Sequence, residues 1–217
     1  MENLIQTIAV YALPVLFAIT LHEAAHGYVA RHFGDPTAHQ AGRITLNPLK
    51  HIDLIGTIVV PLVLLFVSRL MGGGLLFGWA KPVPVNWSRL RRPKRDMLWV
   101  ALAGPASNLL QAIFWVLFWQ FMLWAGLTQG QGDFWTLMAH AGVQINLVLM
   151  ALNLLPLPPL DGGRIVFSLL PARLAWQYGR IEPYGLVILI VLMMLGWLWP
   201  LMMPLLRFGE WVVNGFL

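Results

Sequence analysis

The chain alternates between long apolar segments and short polar loops. The apolar segments cover about residues 4–33, 52–78, 97–127, 134–160 and 184–206. A helix needs about 20 apolar residues to cross the hydrocarbon core of a bilayer. The pattern therefore predicts an all-α polytopic membrane protein with about four full spans. The segment 52–78 is either a re-entrant loop or a fifth apolar span.

The composition supports a membrane protein and excludes a soluble domain. Of the 217 residues, 59% are hydrophobic and 11% are charged, whereas soluble domains average about 25% charged residues. The length fits one integral membrane domain, 1–217, with a core at about 4–180 and a C-terminal span at 184–206. The N-terminus lacks a basic region and a cleavage site, which predicts a retained span. The chain has no cysteine, so disulfides and thiolate metal sites are excluded.

The basic residues predict the orientation of the spans. The loop at 78–96 contains six basic residues: Lys81, Arg89, Arg91, Arg92, Lys94 and Arg95. Three more lie around the loop that follows the first segment: Arg31, Arg43 and Lys50. Because basic loops stay in the cytoplasm, we expect 52–78 to enter and leave on one side, turning near Pro61 or 72–74. One ordinary span that breaks the charge rule is the alternative. The net charge of +5 is explained by these loops and does not indicate nucleic acid.

The loop at 34–51 is polar and rich in turn-forming residues. Gly34, Asp35 and Pro36 end the first helix. Residues 40–47 alternate loosely between polar and apolar positions, which allows either a short β-hairpin or an ordinary loop. A strand here would offer an edge to an extended peptide.

One motif in the first apolar segment carries chemistry. His22, Glu23 and His26 form the pattern H-E-x-x-H. Residues four apart lie on one face of a helix, so both imidazoles can bind one metal ion. Glu23 lies beside them and can accept a proton from a metal-activated water. Ionisable groups are costly within a bilayer, which favours a functional role over a purely structural one.

A catalytic zinc ion needs a third protein ligand, and Asp161 is the best candidate. It follows three prolines at the end of the fourth segment. Asp161 precedes the basic residue Arg164 by three positions, and His26 precedes the basic residue Arg31 by five, so both lie close to a basic interface. Both groups should therefore lie at a similar depth near the cytoplasmic face. We expect Gly162 and Gly163 to let the backbone turn sharply there. A helix cap is the structural alternative for Asp161, and His140 lies too near the external end to be a ligand.

These residues resemble the site-2 protease family of intramembrane zinc metalloproteases. The match comprises the H-E-x-x-H motif, Asp161 with Gly162, and Asn153-Leu-Leu-Pro156 upstream. The stretches 103–108 and 78–86 are similar to a compact branch of that family that lacks a PDZ domain. The resemblance runs from about residue 15 to 180, and the segment 52–78 looks like an insertion relative to its shortest members.

The resemblance implies a function and a set of roles. His22, His26 and Asp161 would bind one Zn²⁺ ion, Glu23 would be the general base, and Asn153 would act near the substrate peptide or the developing oxyanion. The substrate would be a transmembrane protein, cleaved within or near its membrane span. The enzyme would lie in the cell membrane with its site towards the cytoplasmic face; the oligomeric state is not predicted.

Three other functions are compatible with parts of the pattern. A prenyl-protein-processing metalloprotease would take its third ligand from a downstream glutamate, Glu182 or Glu210, and neither lies in a second motif. A non-catalytic membrane protein would not need the complete set of catalytic groups. A metal transporter would need polar groups along a continuous path, and the external halves of the spans have few beyond His140.

Overall fold

A computed structural model describes residues 2–60, 63, 78, 80–129 and 132–217 of the protein. Within this part of the chain every regular element is a helix. The α-helices are α1 (Glu2–His32), α2 (Thr37–Gln40), α3 (Pro93–Trp124), α4 (Phe134–Asn153), α5 (Asp161–Leu169), α6 (Ala172–Gly179), α7 (Gly185–Met194) and α8 (Leu198–Asn214). Short 3₁₀ turns cover Pro48–His51, Trp87–Arg89 and Glu182–Tyr184, and a π-helical turn covers Leu54–Val59.

Three of the described helices are long and apolar enough to cross a membrane. These spans are Ile5–His32, Pro93–Trp124 and Phe134–Asn153, and a bent helical pair near the C-terminus would make a fourth. The protein is therefore a helical membrane protein, as the hydropathy pattern predicts.

The helix ends have clear local causes. α1 ends with basic Arg31 and His32, which interact favourably with the negative end of the helix dipole, and Gly34 follows with a φ of 107°. α3 starts at Pro93, a residue suited to the first turn of a helix. The side chain of Asp133 caps α4 by accepting a hydrogen bond from the Thr136 N–H at 2.9 Å.

The core forms where α1, α3 and α4 pack against one another, with α5 against α3 and α8 against α4. Small residues on these helices permit close approach, because side chains of neighbouring helices fill the space that a Cβ atom would occupy. At Gly142 of α4, an added Cβ would lie 2.3 Å from the ring of Trp115 on α3. This close packing sets the depth at which polar groups of the three helices face one another.

Both basic segments lie at the same end of the bundle. The N–H of Arg91 donates to the carbonyl of Phe33 at 2.9 Å, and the N–H of Lys81 donates to the carbonyl of His51 at 2.9 Å. The flanks of the segment 52–78 therefore meet. The predicted turn near Pro61 or 72–74 lies outside the described residues.

Two sequence predictions differ from the structure. Of the two alternatives predicted for 40–47, the short β-hairpin is wrong and the ordinary loop is confirmed, because Gln40 ends α2 and the following residues form turns and bends. Two backbone N–H groups here bond within the loop: that of Gly42 donates to the carbonyl of His39, and that of Arg43 donates to the carbonyl of Ala38. The C-terminal span predicted at 184–206 is not one continuous helix: two helices, α7 and α8, lie there with a bend of 93° between them. Gly196, with a φ of 71°, lies at this bend.

Candidate metal centre

α1 brings the two motif histidines to the centre of the bundle. His22 and His26 are one helical turn apart and both are buried, with 7% and 9% of their surface exposed. Their Nε2 atoms are 3.1 Å apart. The Oδ2 atom of Asp161 lies 3.2 Å from the Nε2 atom of His22 and 3.3 Å from that of His26. The structure thus brings together the three side chains that the sequence proposes as ligands.

The outer nitrogen of each imidazole has a partner that fixes its protonation. The Nδ1 atom of His26 lies 2.7 Å from the carbonyl oxygen of Val100, which can only accept, so Nδ1 carries the proton. The Nδ1 atom of His22 lies 2.6 Å from the Oδ1 atom of Asn108. Since Asn108 donates its Nδ2 to the carbonyl of Ala18 at 3.2 Å, its oxygen faces His22 and accepts. In its neutral form, each imidazole therefore has an unprotonated Nε2.

This arrangement fits a bound cation. Two Nε2 lone pairs and a carboxylate oxygen converge, and Oδ2 of Asp161 is buried without a hydrogen-bond donor among the described groups. Acceptors held this close repel one another unless a positive charge lies between them. In tetrahedral coordination at 2.0–2.1 Å, two zinc ligands stand roughly 3.3 Å apart. The observed separations of 3.1 to 3.3 Å match that spacing.

Among the described residues, His22, His26 and Asp161 form the one group of three or more metal-binding side chains. Glu182 pairs with Arg164 instead. His140 packs its ring against Trp119 with the centroids 5.5 Å apart. In the part of the chain that the structure describes, no downstream glutamate joins the two histidines, whereas the prenyl-processing alternative requires one.

Asp161 reaches the histidines because the chain before it folds back closely on α5. It is the first residue of α5, and an added Cβ at Gly162 would lie 2.2 Å from the carbonyl oxygen of Leu155. An added Cβ at Gly163 would lie 2.5 Å from the nitrogen of Pro158. These two glycines lie within a regular helix and permit close packing of backbone on backbone. The expectation that they form a sharp turn is therefore wrong.

Gly104 on α3 makes room for the histidine rings. A Cβ atom at this position would lie 2.4 Å from Nε2 of His26 and 2.5 Å from Nε2 of His22. A glycine within an apolar span lets neighbouring helices approach closely. The structure shows that the Nε2 atoms of the two histidines occupy this space.

Glu23 lies half-buried on the same helix, between the two histidines in sequence. Its Oε2 atom accepts a hydrogen bond from the backbone N–H of Val83 at 2.7 Å. Asn153 is half-buried at the end of α4, and its Nδ2 atom donates to the carbonyl of Leu149 at 3.1 Å. No hydrogen bond from Asn153 to His22, His26 or Asp161 is found in the described structure.

Two asparagines support the site behind His22. The Nδ2 atom of Asn108 donates to the Oδ1 atom of Asn146 at 2.9 Å. Asn146 in turn donates to the carbonyl of Gly142 at 2.8 Å. Both asparagines have an exposed fraction of 0%. The sequence analysis did not identify Asn146 as part of the site. Its position as a polar residue within an apolar span was the signal that could have indicated a buried partner for Asn108.

The fold and the site define a helical membrane protein with a metal-type donor set at its core. A family model described as "Peptidase family M50" matches residues 125–196. The chain is 39% identical over 186 residues to the protein named "Putative zinc metalloprotease YwhC" of Bacillus subtilis, covering 83% of this chain and 78% of that protein. The chain belongs to peptidase family M50.

Two mycobacterial proteins, each named "Putative zinc metalloprotease Rip2", are also similar. The protein of Mycolicibacterium smegmatis is 30% identical over 184 residues, covering 82% of this chain and 64% of that protein. The protein of Mycobacterium tuberculosis strain H37Rv is 30% identical over 181 residues, covering 82% of this chain and 63% of that protein. The chain thus spans less than two thirds of these longer relatives. No solved structure matches it significantly.

Proposed function

We propose that this protein is a zinc-dependent endopeptidase that cleaves membrane proteins within or near their transmembrane segments. The observation that carries the proposal is the converging set of His22, His26 and Asp161 in the core of an apolar helical bundle. Membership of peptidase family M50 supports peptide hydrolysis, and the names of the relatives support zinc. The depth of the site in the bundle supports a membrane-embedded substrate.

In this proposal His22, His26 and Asp161 hold one Zn²⁺ ion, and Asn108 and Val100 orient the two imidazoles through their Nδ1 atoms. Such partners behind the ligands commonly change metal affinity by 10–100-fold. The ion, when bound, acts as a Lewis acid that activates water and polarises the scissile carbonyl. The three ligands come from two helices: α1 supplies both histidines and α5 supplies the carboxylate.

Glu23 performs the proton transfers. Its carboxylate accepts a proton from the attacking water and then delivers that proton to the leaving amine. The substrate helix must unwind locally first, because its carbonyls are otherwise engaged in backbone hydrogen bonds. We retain Asn153 as a residue that acts near the substrate peptide. The basis is the family resemblance and its position at the end of α4, before the loop that leads to Asp161.

The proposed location is the cell membrane, with the site towards the cytoplasmic face. On α1, His26 precedes Arg31 by five residues, which corresponds to about 7 Å along a helix. The contact of Arg91 with Phe33 places the second basic segment at this same end. The positive-inside rule assigns that end to the cytoplasm. Water then reaches the site over a short distance.

The test is cleavage of a single-span substrate by purified, zinc-loaded protein in detergent. Glu23→Gln should lower kcat by at least about 100-fold, the range for a lost general base, and keep one zinc per chain. Asp161→Ala should lose zinc as well as activity. Asp133→Asn is the control, because it makes the same kind of carboxylate-to-amide change at the cap of α4. It should keep both zinc binding and activity. Cleavage by Glu23→Gln at the wild-type rate would refute the assigned base, and tight zinc binding by Asp161→Ala would refute the third ligand.

A further inference from the structure

The extended segment 81–85 contacts the proposed base directly. It has no regular secondary structure, and the backbone N–H of Val83 donates to Oε2 of Glu23 at 2.7 Å. The segment is fixed on its other side by Arg43, whose Nη2 atom donates to the carbonyls of Lys81 at 2.9 Å and Pro82 at 3.3 Å. The donor that reaches Glu23 therefore belongs to a well-anchored stretch of backbone.

The local sequence leaves Val83 as a dedicated donor. Pro82 and Pro84 flank it, and neither has a backbone N–H. Each proline also restricts the preceding residue to extended conformations, so Lys81 and Val83 are both held out of the helical region. Of the three residues 82–84, only Val83 can donate a backbone hydrogen bond, and it donates to Glu23.

The side chain of Val83 holds this backbone against α1. It is buried, with 7% of its surface exposed. A Cβ atom added to Gly27 would lie 3.2 Å from Cγ1 of Val83, so the absence of a side chain at Gly27 lets the valine approach the helix. Gly27 directly follows the ligand His26. The segment is thus seated on the turn of α1 that carries the metal centre.

We propose that the backbone N–H of Val83 positions the carboxylate of Glu23 for its role as general base. A glutamate has three rotatable side-chain bonds, and fixing Oε2 removes most of the orientations that these bonds allow. Oε1 makes no hydrogen bond with any described residue, and it is the oxygen left to exchange protons with water. The inference rests on the proposed peptidase function, and it adds a positioning residue outside the H-E-x-x-H motif.

The kinetic experiment removes the donor and keeps the rest of the segment. Val83→Pro deletes the N–H but fits an extended backbone between two prolines. We expect kcat to fall about 10- to 100-fold, the size of effect that a misplacement of about 1 Å can cause, with KM changed less than about twofold and zinc content unchanged. Val83→Ala keeps the N–H and loses packing, so its kcat should exceed that of Val83→Pro by about tenfold.

Val85→Pro is the matched control. It makes the same substitution two residues away, at a backbone N–H for which no hydrogen bond is found in the described structure, and its kcat should stay within about threefold of wild type. A wild-type kcat in Val83→Pro would overturn the inference. An equal loss in both proline variants, or a loss of zinc in Val83→Pro, would overturn it too, because either result indicates a general structural role.

A second measurement needs neither catalysis nor a change at Val83. In protein labelled with ¹⁵N-valine, the Val83 amide should exchange with solvent at least about tenfold more slowly than in Glu23→Ala, because the variant lacks the acceptor. Equal exchange in the two proteins would overturn the inference. If wild-type protein cleaves no membrane substrate, the proposed function fails, and the amide exchange still decides whether Val83 holds Glu23.

Discussion

Replacing Gly104 with alanine tests whether the helix packing around the metal centre determines its affinity. In an exposed helix this change adds about 0.5–1 kcal/mol of stability, because alanine is the better helix former. Here the new methyl carbon would lie 2.4 Å from Nε2 of His26 and 2.5 Å from Nε2 of His22. It would thus meet the two atoms that are proposed to bind zinc.

The size of the effect follows from these distances. Ordinary contact begins at 3.4 Å, so the imidazoles or the helices must move apart by about 1 Å. Zinc–ligand distances tolerate about 0.2 Å, so a ring displaced by this amount no longer binds well. If α1 and α3 separate instead, the bond from His26 to Val100 at 2.7 Å and that from His22 to Asn108 at 2.6 Å both lengthen. Either response weakens the site.

We expect Gly104→Ala to raise the zinc Kd by at least about 100-fold, which corresponds to about 2.7 kcal/mol. The assay is competition with a chromophoric zinc chelator in detergent, alongside the thermal midpoint of the zinc-free protein. Ala106→Ser is the control, because it adds one heavy atom to an exposed position of the same helix. An unchanged zinc Kd in Gly104→Ala would refute the reasoning.

Two further predictions concern groups away from the ligands. Asn146→Leu removes the acceptor of the Asn108 amide, so zinc affinity should fall by roughly tenfold, as titration would show; an unchanged affinity would exclude a supporting role. Hydrogen bonds from the Thr128 hydroxyl and the Thr136 N–H lower the pKa of Asp133 to about 2. The stability that this carboxylate contributes is therefore present above its unfolded pKa of about 4 and is lost as the pH falls towards 2. The thermal midpoint should drop less between pH 5 and pH 2 in Asp133→Asn, and an equal drop in both proteins would contradict this.

The sequence predicts the site well where the geometry is local. Residues four apart on a helix share a face, so the pairing of His22 and His26 needs no knowledge of the fold. Asp161 is harder, since its proximity depends on a second segment that reaches the same depth. Matched distances to basic residues suggest that depth, and the structure places Asp161 beside both histidines. Its role as a ligand stays a prediction.

Other features cannot be predicted from a short stretch of sequence, because they depend on how the chain packs in three dimensions. The proposed strand at 40–47 has a loose alternation, yet the N–H groups of Gly42 and Arg43 bond to carbonyls within the same loop. Gly196 lies at the bend between α7 and α8, and hydropathy does not distinguish a bent apolar segment from a straight one. Asn146 and Val83 act through contacts with α3 and α1, which are known only once the helices are assembled.

The order in which the donor atoms are synthesised has a consequence for biogenesis. His22 and His26 emerge with the first helix, whereas Asp161 follows only after α3 and α4 have been made. An unfinished chain would supply only two of the three proposed ligands, and the proposed zinc site needs the Asp161 carboxylate as well. Metal acquisition should therefore be a late step that marks complete insertion, so a nascent or truncated chain would remain proteolytically inert in the membrane that it enters.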